Sequence, residues 1–171
     1  MVFTVDHGDH LGQHRMYQKM EMYGHAIRVP LIVRLPGSPA WQCDTPVSHL
    51  DVMPTLLAFL SLPPLGGLDG LSLADTVCVG TPPIERPIHS QYSGNPTVGD
   101  CRRTVVTQRC KFIHDPSDRP ELYDLESDPL EMRNLAGEPA YAVQLQHLHE
   151  VAKEWAASHR DWVSFGEAPP P

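Results

Sequence analysis

Apolar residues follow three rhythms along this chain. Met1-Val2-Phe3-Thr4-Val5, and Val29 through Val33 within residues 28–35, are continuous apolar, β-branched runs. Runs of this kind predict strands buried on both faces, as in the centre of an α/β sheet. Pro30 offers no backbone N–H and fits only as the first residue of the second strand, and Pro36-Gly37-Ser38-Pro39 turns the chain after it. The next rhythm is helical. Leu56, Leu57, Phe59 and Leu60 give the buried side of a helix over 52–60, with Ser48 and Asp51 as candidate caps and Pro54 in the first turn. His49 reads as the lead into that helix rather than as a ligand. Residues 71–74 predict one helical turn, and 77–86 a proline-punctuated linker.

After residue 86 the rhythm shortens. Segments 87–92, 104–108, 110–114 and 121–125 predict an antiparallel sheet, with Asp115-Pro116-Ser117-Asp118 as a turn and a short helix from Asp128 through Met132. The final helix spans 139–158, where Tyr141, Leu145, Leu148, Ala152 and Trp155 form one stripe. His147, His149 and His159 fall on or near its polar side and read as solvated, and 166–171 reads as a frayed tail. The fold class is therefore α/β. An α/β part over 1–80 carries a loop of candidate ligands, and an antiparallel subdomain over 81–171 packs on a long amphipathic helix.

With 171 residues, 41% hydrophobic and 20% charged, the chain has enough apolar material for a real core. A formal charge of −8 with no basic stripe argues against a nucleic-acid partner. No apolar run is long enough to span a bilayer. No basic region and apolar leader opens the chain, which favours the cytoplasm over secretion. Cys43, Cys78, Cys101 and Cys110 contain no Cys-x-x-Cys pair, so a zinc ribbon is unfavoured. Two disulfides or free buried thiols both fit their spacing.

The chemistry concentrates in Asp6-His7-Gly8-Asp9-His10-Leu11-Gly12-Gln13-His14, with Lys19 after it. Gly8 and Gly12 let the chain turn directly after the first strand, which puts Asp6 and His7 at that strand's carboxyl end, where open α/β sheets place ligands. A carboxylate oxygen and a neutral imidazole nitrogen are workable ligands for a divalent cation. His10 and His14 have i, i+4 spacing, but Gly12 lies between them and no His-Glu-x-x-His is present, which counts against a zincin site.

The block from Thr4 through His14 to Lys19, followed by Tyr23 and Arg28-Val29-Pro30-Leu31-Ile32-Val33, resembles the sulfatases of the alkaline phosphatase superfamily and their phosphonate- and phosphate-ester-hydrolysing relatives. His49 to Leu56 resembles that family's Asp-x-x-Pro-Thr helix start, and Leu68-Asp69-Gly70-Leu71-Ser72-Leu73 its Asp-Gly-x-Ser-Leu turn. Arg103 to Ile113, then Glu121-Leu122-Tyr123-Asp124-Leu125 through Asn134-Leu135, resemble its carboxy-terminal sheet. Gly24 departs from the pattern, since Glu is common there. The first part would then be the end of an alkaline-phosphatase-like mixed sheet.

The resemblance implies metal-assisted hydrolysis of a sulfate ester, with a small molecule or a saccharide carrying the sulfate. Asp6 and His7 would be metal ligands, and Lys19 would contact the sulfate and the ester oxygen, with His14 giving a similar contact. Calcium is the family's usual ion; the softer imidazole keeps manganese and zinc open. Family members place their nucleophile and two further acidic ligands far upstream of this block. The chain therefore reads as a carboxy-terminal part. The nucleophile is a formylglycine made from Cys-x-Pro-x-Arg or Ser-x-Pro-x-Arg. Ser61-Leu62-Pro63-Pro64-Leu65 and Ser127-Asp128-Pro129-Leu130-Glu131 come nearest, and both lack the arginine. A part without that segment is expected to be inactive alone. The competing readings are a phosphonate or phosphodiester hydrolase of the same superfamily, and a non-catalytic product, either an empty remnant or a metal-binding or interaction module that retains the fold.

Overall fold

A computed structural model describes residues 1–94 and 100–166. They fall into two compact units. The first comprises 1–5 and 30–88, and the second comprises 6–29 with the chain from 89 onward. The ligand-bearing segment 6–29 therefore groups with the carboxy-terminal sheet, whereas the sequence reading had placed it with residues 1–80. The reason lies in its contacts: Met22, Tyr23 and Ile27 pack in an apolar cluster with Ile113 and Tyr123, and polar side chains, described below, grip its backbone, in a short loop with no hydrophobic period to read.

In the first unit, β1 (Val2–Thr4) pairs antiparallel with β2 (Leu31–Val33), Phe3 facing Ile32. Val2, Leu31 and Val33 meet Val52 and Leu56 of α2 (Val52–Phe59). The opposite face is open: Phe3 and Ile32 are 49% and 52% exposed. The expectation of two strands buried on both faces is thus corrected. An apolar run records that both faces favour burial, and here, among the described residues, each short strand pairs only with the other and has helix cover on one side. Burial of a face needs a second layer.

The start of α2 is fixed by side chains. Leu50 N–H donates to Ser48 Oγ at 3.2 Å and Ser48 N–H to Asp51 Oδ2 at 2.9 Å, a reciprocal cap. Asp51 is 1% exposed. Its Oδ1 also accepts Leu71 N–H at 2.7 Å and pairs with Arg86. Thr55 Oγ1 donates to Asp51 O at 2.5 Å and accepts Leu73 N–H at 2.8 Å. Gly70 makes the approach feasible, because a Cβ there would lie 1.9 Å from Leu50 O. The helical turn expected over 71–74 lies later, as α3 (Ala74–Val79), and takes the first residues of the expected linker.

In the second unit, β3 (Ile88–Ser93), β4 (Cys101–Val106), β5 (Cys110–His114) and β6 (Glu121–Asp124) form a four-stranded sheet in that order. These strands match the expected segments to within a few residues. Cys101, Val105, Cys110, Phe112 and Leu122 pack on Leu145, Leu148, Ala152 and Ala156 of α4 (Ala142–Ser158). All four cysteines are free, Cys101 and Cys110 buried in the core and Cys43 and Cys78 exposed. Among the described residues no helix is long and apolar enough to cross a membrane.

Two expectations change here. His149 is 1% exposed rather than solvated, and its Nε2–H donates to Phe165 O at 3.0 Å. Residues 162–165 fold back over that side of α4, which helical period alone does not reveal. The short helix from Asp128 is instead a pair of turns: Asp128 Oδ2 accepts Arg133 N–H at 2.8 Å and Glu131 takes a positive φ of 58°. The tail expected over 166–171 lies outside the described residues after Gly166.

Arg103 and Asp161 form a buried two-point pair, Nε to Oδ2 at 2.5 Å and Nη2 to Oδ1 at 2.9 Å. The guanidinium holds the Asp161 carboxyl below its ordinary range. Burial pushes the His114 imidazole below its ordinary value, although its N–H donates to Ser164 O. The signs agree: below about pH 6.5 the unfolded chain gains a proton that His114 resists, and below about pH 4 one that Asp161 resists. Stability measured by urea titration should therefore fall in two stages as pH drops from 7. In Asp161→Asn the lower stage should shrink while the upper stage remains.

Candidate functional site

Asp6 and His7 follow β1 directly, and Gly8 fixes what comes next. Gly8 N–H donates to Ala26 O at 2.8 Å, and a Cβ on Gly8 would stand 2.0 Å from His25 O. Only glycine lets the chain lie so close to α1 (Gly24–Ile27). The loop then closes on itself through His10 N–H to Gln18 O at 2.9 Å and Gly12 N–H to Met16 O at 2.8 Å. Leu11, His14, Arg15 and Gln18 all take positive φ, between 47° and 72°. That conformation is costly for non-glycine residues and is typical of functional loops.

Asp6, His7 and Lys19 come together. Asp6 Oδ2 lies 3.3 Å from His7 Nε2, with the carboxylate 86% and the imidazole 39% exposed. His7 Nδ1 lies 2.8 Å from Gly8 O, so it carries the proton and donates. In the neutral ring Nε2 is then the bare nitrogen, and the Lys19 ammonium lies against it. With Nδ1 tied to a carbonyl, Nε2 is the nitrogen through which the imidazole would bind a metal once the Lys19 ammonium moved off it. The His7 backbone N–H, then the His7 ring and the Lys19 ammonium, hold the Asp6 carboxyl below its ordinary range, so it is ionised at neutral pH. The donor set is one charged oxygen and one neutral nitrogen facing the same side, which fits a divalent cation. Among the described residues, no group of three or more His, Cys, Asp or Glu is arranged to hold one.

His14 belongs to a different set. Its ring stacks on Tyr23 at 4.1 Å and its Nε2 donates to Leu130 O at 2.9 Å. It ties the loop to the 128–131 turns. His10 is 1% exposed, packed 6.0 Å from Tyr23, 6.2 Å from His25 and 6.4 Å from His14. Burial, with His14 and His25 adding to it, lowers its pKa and keeps it neutral.

Sequence reasoning missed the supports of this loop: Arg102, the Lys111–Glu131 ion pair and the contacts they make with residues 20–24. Lys111 sits in a run of buried strand residues, Cys110 to Ile113. A lysine inside such a run is the one signal that could have marked it as paired.

A family profile described as N-sulphoglucosamine sulphohydrolase, C-terminal, matches residues 12–158. The choline-sulfatase of Rhizobium meliloti is 34% identical over 173 residues, covering 98% of this chain and 33% of its own length. A solved structure of a protein in complex with its substrate D-glucosamine-2-N,6-O-disulfate superposes with a TM-score of 0.79 at 28% identity, over 97% of this chain and 35% of that one. The phosphonate monoester hydrolase of Agrobacterium radiobacter superposes at 0.77 with 27% identity, over 92% and 35%. The chain spans about a third of the length of the curated relatives it matches. With a family profile matched over residues 12–158 and a relative 34% identical over 98% of the chain, the chain belongs to the sulfatase family of the alkaline phosphatase superfamily, of which it is the carboxy-terminal part.

Proposed function

We propose that Asp6, His7 and Lys19 form one side of the site at which a sulfatase binds a divalent cation and its sulfate ester. The observation that carries this reading is the pairing of an ionised carboxylate oxygen with a bare imidazole nitrogen 3.3 Å away, under an ammonium. Asp6 and His7 would hold the ion, calcium first, with manganese or zinc accommodated by the imidazole. When bound, such an ion polarises the ester oxygens as a Lewis acid and orients the sulfate. Lys19 lies where its ammonium neutralises charge developing on the leaving oxygen. Gly8 O keeps the proton on His7 Nδ1 and so keeps Nε2 available.

Cations of this type take about six to eight oxygen ligands for calcium and six for magnesium, so two protein ligands are a partial sphere. The 171 residues contain no Cys-x-Pro-x-Arg or Ser-x-Pro-x-Arg segment from which a formylglycine could be made. A preparation of these residues alone should turn over no 4-nitrophenyl sulfate above background; measurable turnover dependent on Lys19 would contradict that. The substrate class favoured is a sulfated saccharide or small sulfate ester, as in the relatives named above. The second reading, hydrolysis of a phosphonate ester, is favoured by the similarity to the phosphonate monoester hydrolase.

Calorimetry on the calcium-loaded chain separates the two. Inorganic sulfate should bind more tightly than methylphosphonate, and lose affinity in Lys19→Met. The reverse order of affinities would favour the second reading, and failure to bind any cation would remove both.

A further inference from the structure

We infer that Arg102 and the buried Lys111–Glu131 pair are positioning residues for Lys19, an inference that rests on the reading of Lys19 as the group meeting the anion. Three charged side chains grip the backbone just after Lys19, at every second residue. Arg102 Nη1 donates to Met20 O at 3.2 Å, Lys111 Nζ donates to Met22 O at 3.0 Å, and Glu131 Oε2 accepts Gly24 N–H at 2.5 Å. Hydrogen bonds with an ionised partner are the stronger kind, so the segment is fixed in both direction and register.

Each grip is itself held. Arg102 is clamped by Glu21 at 2.9 Å, Asp100 at 2.6 Å and Asp115 at 3.3 Å. Lys111 and Glu131 are 3% and 2% exposed at the side chain and form an ion pair. Burial pulls the Lys111 ammonium below its ordinary value, and Glu131 is the main cause opposing that. Gly24 leaves little space for anything larger, since a Cβ there would approach Glu131 Oε2 to 3.2 Å. A buried ion pair seldom stabilises more than well-packed apolar residues of the same volume, so stability alone does not account for this one. Its two backbone bonds do. Lys19 itself is exposed, so its place against His7 is inherited from the backbone that carries it.

The test uses the full chain and two variants, Arg102→Gln and the double variant Lys111→Met/Glu131→Leu. The readout is the nuclear Overhauser effect between the Lys19 ε-methylene and the His7 ring in NMR spectra. It should be present in the wild type and lost in both variants, while the cross-strand effects within β4, β5 and β6 persist. A merely structural role would lower the melting temperature and leave the Lys19–His7 signal in whatever remains folded. Persistence of that signal at full intensity in Arg102→Gln, or its absence from the wild type, would overturn the inference. Arg102→Gln decides alone if the double variant fails to fold. Manganese broadening of the Asp6 and His7 resonances, read on the wild type, tests the proposed site separately: its absence would remove the site and leave the positioning result intact.

Discussion

Asp51→Ala should lower the unfolding free energy by about 3 kcal/mol, read from urea titration of the full chain. The carboxylate serves three partners at once: Ser48 N–H, Leu71 N–H and the Arg86 guanidinium. Its loss removes a helix cap, worth about 0.5–2 kcal/mol. It also strands a guanidinium that is only 24% exposed and an amide donor beside it. An unsatisfied buried donor costs about 1–3 kcal/mol, more when charged, and water reaching Arg86 takes back part of that. Asp51→Asn keeps an acceptor for Leu71 and should cost roughly half as much. A loss below about 1 kcal/mol for Asp51→Ala would show that Leu71 and Arg86 re-pair elsewhere. The residue explains why Asp-x-x-Pro-Thr and Asp-Gly-x-Ser-Leu occur in one chain: the first motif caps a helix and the second supplies the backbone that its carboxylate also binds.

Asp6→Ala should weaken calcium and manganese binding by at least about 100-fold in calorimetric titration, with His7→Ala close behind. Losing an outer partner of a metal ligand typically costs about 10–100-fold, and losing a ligand itself belongs at or beyond the top of that range. Lys19→Met carries the opposite sign for the cation. Its ammonium rests on His7 Nε2, so removing it frees the nitrogen and lifts a like charge from the ion. Cation affinity should rise as sulfate affinity falls. A non-catalytic remnant would show neither the loss at Asp6 nor the crossing of the two affinities at Lys19.

The sheet and terminal helix were legible because burial writes a period into the chain. Strands 110–114 and 121–125 alternate around Phe112 and Leu122, and Leu145, Leu148 and Ala152 keep helical spacing; both sets meet in one core. The candidate site was legible for a different reason: Asp6, His7 and Lys19 are chemically distinctive residues on one short loop. His14 was legible as a candidate residue, but its tie to Leu130 O was not, because that partner is 116 positions away and is a backbone atom with no sequence signature. The same physics hid Arg102, Lys111 and Glu131, which act on carbonyls and an amide. The open face of Phe3 and Ile32 was misread because an apolar run states a preference for cover and is silent on what supplies it. His149 was misread because the chain at 162–165 covers it and Phe165 O takes the bond from its Nε2, contacts that helical spacing does not show.

In the proposed site His7 offers Nε2, beside the Asp6 carboxylate, to a divalent cation. Side-chain ¹⁵N NMR of His7 during titration with calcium, and with zinc in parallel, tests it directly. The Nε2 resonance should move with added ion while Nδ1 keeps its proton on Gly8 O, and neither should move in Asp6→Ala. An Nε2 resonance that stays in place with the ion in excess would contradict it.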